Sequence, residues 1–413
     1  MGPHKHTPKC PAEEQGIPDL YWKVVSSLTA IVKLTPGLGN QLFEYAVGRS
    51  VALHHGTTLK LDRTHLLEDQ YQLSHFSIQE HFATPSEITA LTGEGKRGVN
   101  KLIFDFRQRN RPYFRRSHFV EPNYFDRAFG RHAIEHRLTY DSNILRTPKD
   151  VYLEGYFPTE KYFKPISDLI RREFKLRNRL GTRNQDIAKS IQQTESVSVH
   201  VRRSDYLYPI NSFTLGNLTM AYYEKCVQMV DDRLKSPHFF IFSDDPEWVT
   251  RNFDLGHPTT IVSNKESRNY EDLALISSCK HNIVSNSTFS WWGAWLNQNP
   301  AKLVLAPDPW YASSIIKSSD IVPDDWIRVR GDLYEPAMGL RRYEEDATLE
   351  VLMYVYLCRP DLQKAFPEAG SGDFHRLIDW AARVAADETC KDSDQPILRQ
   401  YNHQLEHLLR IHR

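Results

Sequence analysis

A chain of 413 residues exceeds the size at which a single hydrophobic core usually stops growing, so at least two compact units are expected. Its 52 Lys plus Arg balance 52 Asp plus Glu, which excludes a chain-wide polyanion-binding or nucleic-acid-binding surface and leaves any phosphate binding to a local site. No apolar run approaches the roughly 18 residues of a membrane span, and the cysteines have no CxxC spacing, so they read as reduced thiols.

Residues 1–28, opening MGPHKHTPKCPAEEQG, have neither periodicity nor an apolar stretch of signal-peptide length. They read as a flexible tail on a cytoplasmic chain, with a peripheral membrane association left open. From Thr29, TAIVKL reads as a strand and Pro36-Gly37 as a tight turn. Leu42, Phe43, Ala46, Val47, Val51 and Leu53 then recur with helical spacing. Gly56 ends that helix and residues 58–61 form the next strand, so a βαβ unit opens an α/β domain expected over 29–165. Residues 65–150, rich in Arg, His and aromatics with short apolar stretches such as Leu102-Ile103-Phe104, read as surface helices and loops suited to shaping an acceptor site. Residues 151–157 read as a buried strand and 161–174 as a helix near the passage between domains.

A second α/β series follows over 166–331. Strands are expected at 196–201, 238–242, 260–262, 282–285 and 303–305, and helices at 220–234, 247–253, 270–278 and 289–297. That alternation predicts a doubly wound, Rossmann-like domain. Beyond it, residues 332–413 read as a helical C-terminal extension, its pieces joined by Arg359-Pro360 and by Pro367 to Gly372.

Three segments carry candidate chemistry. In Pro36-Gly37-Leu38-Gly39-Asn40-Gln41, glycines let the backbone approach a ligand and a helix N-terminus points at it. Leu42 stands where a dinucleotide fingerprint has its third Gly, and no Walker Lys is present, so the segment alone is equally a tight turn. His200-Val201-Arg202-Arg203-Ser204-Asp205 follows a predicted strand, and ligands of doubly wound sheets sit just beyond strand carboxyl ends. Arg202 is the better diphosphate ligand because its guanidinium can bind phosphate oxygens bidentately. Alternation sends Arg203 to the other side, as an ion-pair partner, for instance of Asp205. The segment taken alone is also readable as a strand-end ion-pair network. The third segment runs from Glu271-Asp272 to Asn286-Ser287-Thr288-Phe289-Ser290-Trp291-Trp292, where a strand ends in a hydroxyl-rich turn at a helix start. Ser287 and Thr288 either bind phosphate or cap the helix. Trp291, Trp292 and Trp295 are better read as helix packing than as a sugar platform, and glycosylation at Asn286 is not expected inside such a motif.

Taken in order, GLGNQ, HVRRSDY and DLALISSCKHNIVSNSTFSWWGAWLN resemble the inverting α-1,2-fucosyltransferases that use GDP-fucose, over about residues 31–311. Residues 153–157 (LEGYF), 160–163 (EKYF) and 242–249 (FSDDPEWV) look like weaker signatures of the same family. The resemblance implies a GT-B architecture, two Rossmann-like domains facing a cleft, with the donor held mainly by the second. It implies Gly37, Gly39, His200, Arg202, Ser243, Asp244, Asp272, Ser287 and Thr288 as donor-binding residues, with Asn40 reaching across the cleft. Arg202, Asn40 and Asp205 are the candidate catalytic residues, Asp205 as a base that could instead be tied to Arg203. The implied reaction moves L-fucose from GDP-fucose to the 2-hydroxyl of a galactose-terminated glycan, with no metal or other cofactor. The C-terminal helices are candidates for acceptor docking, domain bracing or homo-oligomer formation.

Overall fold

The computed structural model describes residues 28–92, 131–135, 138–207, 215–263, 268–312 and 319–335. The expected N-terminal tail, the Leu102-Ile103-Phe104 stretch and the helical extension from residue 336 onward lie outside the described residues.

The first sheet has four parallel strands in the order β2-β1-β4-β3: β1 (Thr29–Lys33), β2 (Thr58–Asp62), β3 (His132–Ile134) and β4 (Val151–Glu154). Helix α1 (Leu38–His55) returns from β1 to β2 and ends on Gly56, whose left-handed φ of 63° closes the helix as the sequence predicts. Helix α2 (Pro85–Thr92) covers the opposite face of the sheet, packing Ile88 and Leu91 on Ile31 and Tyr152.

The second sheet runs β10-β9-β8-β5-β6-β7, all parallel: β5 (Glu195–Val201), β6 (Pro237–Ser243), β7 (Thr259–Val262), β8 (His281–Ile283), β9 (Val304–Pro307) and β10 (Ile327–Val329). In chain order from β5 this is the dinucleotide-fold order 3-2-1-4-5-6, which reverses direction between β5 and β8. The remaining helices are α3 (Ser167–Glu173), α4 (Thr182–Gln193), α5 (Met220–Asp231), α6 (Pro246–Asn252), α7 (Asn269–Ser278) and α8 (Thr288–Leu296).

Five expectations need correction. Residues 65–150, read as surface helices and loops, also supply β3 of the first sheet. The series has a sixth strand, β10, and a helix before β5, α4, that the pattern reading does not contain. The expected helix over 161–174 is two 3-10 turns, Glu160–Tyr162 and Lys164–Ile166, followed by the short α3. Pro165 accounts for this, because it disfavours α geometry at Lys164 and supplies no N–H for an i to i−4 bond. The strand expected over 151–157 stops at Glu154, and the chain then turns, with Phe157 at a left-handed φ of 50°. The helix expected over 220–234 ends earlier, at Asp231.

The two sheets share one core. Helix α8 leaves the second sheet and inserts its tryptophans beside α1: Trp291 and Trp292 lie 4.6 and 4.8 Å from the Phe43 ring, in the same buried cluster as β1 and β4. Each indole N–H finds an acceptor, Trp291 on Ile321 O, Trp292 on Gly39 O and Trp295 on Glu160 Oε2, so these residues are packing elements, as read. With α1 and α8 each leaving a strand carboxyl end and packed together, those edges of the two sheets meet. This is the two-unit GT-B arrangement. Among the described helices none is long and apolar enough to cross a membrane.

Candidate active site

The site grows from the reversal point of the second sheet. His200 is the penultimate residue of β5 and is buried, with Nδ1 2.8 Å from Ser285 Oγ just past β8. Burial, opposed by Asp244 and reinforced by the charge of Arg202, lowers its pKa to about 4, so the ring is neutral at physiological pH. Two residues on, Arg202 leaves β5 on the same side. Its Nη2 lies 2.7 Å from Asp205 Oδ1 and its Nη1 3.2 Å from Asp244 Oδ2. Burial works against its charge, but Asp244 and Asp205 outweigh it and push the guanidinium pKa up.

Arg203 turns the other way, as strand alternation requires. Its guanidinium stacks 3.8 Å above the Trp248 ring and pairs with Asp245 and Glu335 at 3.7 and 3.4 Å. The expected Arg203–Asp205 pairing is therefore replaced: Asp205 belongs to Arg202, and Arg203 anchors the β5 end on α6. The Ser243-Asp244-Asp245 turn divides its work likewise. Ser243 Oγ accepts from Asp245 N, Asp245 Oδ1 caps α6 by accepting from Trp248 N, and Asp244 Oδ1 accepts from Arg203 N. Asp244 thus fixes both the backbone and one guanidinium nitrogen of the arginine segment.

Across from this cluster stands the glycine turn. Gly37 has a φ of 97°, which a residue with a Cβ rarely adopts. Gly39 lies so close to α8 that an added Cβ would sit 2.4 Å from Phe289 N. That approach lets Asn40 reach the second unit: its Oδ1 accepts from Thr288 Oγ1 at 2.9 Å, while its Nδ2 donates to Pro36 O. Thr288 is therefore committed to Asn40. Ser287 occupies the N-cap of α8 without a side-chain capping bond, so neither hydroxyl caps the helix. Gln41, from the same turn, donates to Thr35 O and Gln70 O and accepts from Gln72 N, tying the turn to the following loop.

Asp272 sits half-buried on the first turn of α7. Its neighbours face the first unit: Asn269 donates to Gln72 Oε1 and Tyr270 stacks on His75 with centroids 3.7 Å apart. Asn286 is buried, donating to Leu215 O and Gly216 O, which leaves no room for a glycan on its amide.

Pattern reading overlooks several side chains. Ser285 holds His200, and only its place in the hydroxyl run after β8 hints at that. Tyr206 donates to Asn286 O and has its ring 5.8 Å from the Arg202 guanidinium carbon. Glu44, one helical turn after Asn40, is fully buried and accepts from Thr35 N and Thr35 Oγ1. Burial, opposed by these hydrogen bonds, raises its pKa to about 8.

A cationic side chain thus stands at the reversal point of a doubly wound sheet, across from the glycine turn of a second sheet. The family described as Glycosyl transferase family 11 matches residues 31–330, and the chain belongs to it. An α-1,2-colitosyltransferase of Escherichia coli is 28% identical over 308 residues, covering 72% of this chain and 98% of its own. The O-antigen biosynthesis glycosyltransferase WbnK of Escherichia coli is 30% identical over 314 residues, 72% of this chain and 99% of its own. The galactoside α-(1,2)-fucosyltransferase 1 of Rattus norvegicus is 27% identical over 194 residues, 44% of this chain and 51% of its own.

Proposed function

We propose that the chain transfers L-fucose from GDP-fucose to the 2-hydroxyl of a galactose-type acceptor with inversion. The observation that carries the reading is Arg202, held at the β5/β8 reversal by Asp205 and Asp244 and lying 5.8 Å from the ring of Tyr206, which donates to Asn286 O just before α8. The diphosphate of the donor lies there, its oxygens shared between the guanidinium and the free N–H groups at the α8 N-terminus. As the bond from the sugar C1 to the phosphate oxygen breaks, negative charge grows on the leaving diphosphate, and Arg202 stabilises it in place of a metal ion. Neutral His200 donates or accepts a hydrogen bond without adding a second charge. Asp205 and Asp244 orient the guanidinium, and Asn40, anchored on Thr288, brings the first unit's glycine turn against the donor. The relatives support a 1,2-linkage: two of them are named for it, one with colitose and one with fucose.

The test is a donor panel of GDP-fucose, GDP-colitose, GDP-mannose and UDP-galactose against galactose-terminated oligosaccharides, with and without EDTA. GDP-fucose is expected to be the preferred donor, the product to carry an α-1,2 linkage, and chelation to leave the rate unchanged. Preference for another donor would overturn the fucose assignment, and complete loss on chelation would overturn the metal-free one.

A further inference from the structure

The LEGYF segment after β4 surrounds a carboxyl group that the donor chemistry leaves unused. Glu135, immediately after β3, is 3% exposed. Its Oε2 accepts from Tyr156 N at 2.7 Å and Phe157 N at 2.9 Å, whereas its Oε1 is buried with no hydrogen-bond partner among the described residues. The local backbone is shaped around it. A Cβ on Gly155 would lie 2.3 Å from Glu135 Cβ, and Phe157 adopts its left-handed φ of 50° where its N–H meets the carboxylate. A non-glycine residue held in that region is strained, so the turn is retained against its own backbone preference.

Its place in the fold is that of a ligand group. Glu135 follows the edge strand β3 and bonds to the turn leaving β4, so it sits at the carboxyl edge of the first sheet, the side on which open parallel sheets bind ligands. From there an electrostatic path leads to the donor cluster. Glu135 acts on Tyr156, Tyr162 and Tyr311 and on Glu44, which also feels Lys33. Tyr311 in turn feels Tyr206, whose ring lies beside Arg202. Of the side chains on this path between Glu44 and Tyr206, Tyr156 is half-buried while Glu44, Glu135, Tyr162, Tyr311 and Tyr206 are buried.

We propose that Glu135 is the general base of the transfer reaction, taking the proton of the acceptor hydroxyl on its unpartnered Oε1; this rests on the fucosyltransferase reading above. The acceptor oxygen forms the new bond to C1 of the donor sugar as the C1–O bond to the β-phosphate breaks. The electron pair departs on the diphosphate beside Arg202, and the acceptor proton passes to Glu135. Two backbone N–H groups anchor one oxygen and the other has no partner among the described residues, the division a positioned base requires. Asp205, the base suggested by sequence, is engaged with Arg202 instead.

Burial, opposed by the Phe157 and Tyr156 N–H groups, raises the Glu135 pKa to about 8. Because a base acts deprotonated, kcat/KM for a β-galactoside acceptor with GDP-fucose is expected to rise with pH and level off above about 8. In Glu135→Gln, transfer to the galactoside is expected to fall about 100- to 10,000-fold, with GDP affinity by calorimetry unchanged and the rising limb gone. Azide needs no deprotonation, so formation of fucosyl azide by Glu135→Gln should match wild type. Glu135→Asp should keep the limb at a reduced rate. Equal losses with azide and galactoside, or an unchanged pH profile in Glu135→Gln, would overturn the proposal while leaving the fucosyltransferase reading intact. If Glu135→Gln does not fold, a wild-type profile flat between pH 6.5 and 9 overturns it. A wild-type chain that transfers from GDP-fucose to no galactoside overturns both.

Discussion

At the scale of single residues, the site places charge by pairing and burial. Arg202 is kept charged by two carboxylates, and His200 is kept neutral beside it, so the cationic character of the strand end is concentrated on one guanidinium. Glu44 shows the converse, a carboxyl forced toward its neutral form by burial under the glycine turn. A folded-state pKa of about 8 against the ordinary 4.5 means that the folded chain keeps a proton which the unfolded chain has lost. The stabilisation is complete below pH 4.5 and is lost as pH rises through 8. Glu44→Gln should therefore show a smaller drop in Tm between pH 5 and pH 8.5 than wild type, measured by differential scanning calorimetry. Equal drops would show that Glu44 is ionised in the folded state.

Among the elements, the contact of α1 with α8 sets the geometry of the two units. Gly39 has no room for a side chain against the Thr288-Phe289 backbone, and overpacking of that kind costs about 1–3 kcal/mol. Gly39→Ala should lower Tm by several degrees and reduce turnover with it, since Thr288 and Asn40 must separate. A variant with wild-type Tm and turnover would contradict the packing. Much of this was legible in the sequence. Pro36, Gly37 and Gly56 bracket α1 as expected, and β6 and β9 are near-continuous apolar runs of buried parallel strands. β10 and β3 escaped because each is short and mostly half-buried, whereas the equally short β8 is buried throughout. Residues 161–174 have helical periodicity, but Pro165 breaks the hydrogen bonding that periodicity presumes. His200, Arg202 and Asn40 could be picked out by motif. Ser285, Tyr206, Glu44 and Glu135 could not: the roles of Glu44 and Glu135 come from burial, and those of Ser285 and Tyr206 from partners distant in the chain, 85 residues separating Ser285 from His200.

For the whole molecule, two parallel sheets meet at their carboxyl edges and are joined by a shared aromatic core, so the groups assigned to donor and acceptor in the proposed reaction arise from different halves of the chain. The first half contributes Asn40 and Glu135, the second Arg202 and the start of α8. Everything proposed for the reaction depends on that second half binding a nucleoside diphosphate through Arg202. Calorimetric titration of GDP into wild type and a folded Arg202→Ala variant tests it most directly. A charge-assisted hydrogen bond contributes about 1.5–3 kcal/mol, so the variant should bind GDP roughly 10- to 150-fold more weakly. Unchanged GDP affinity in Arg202→Ala would contradict the account.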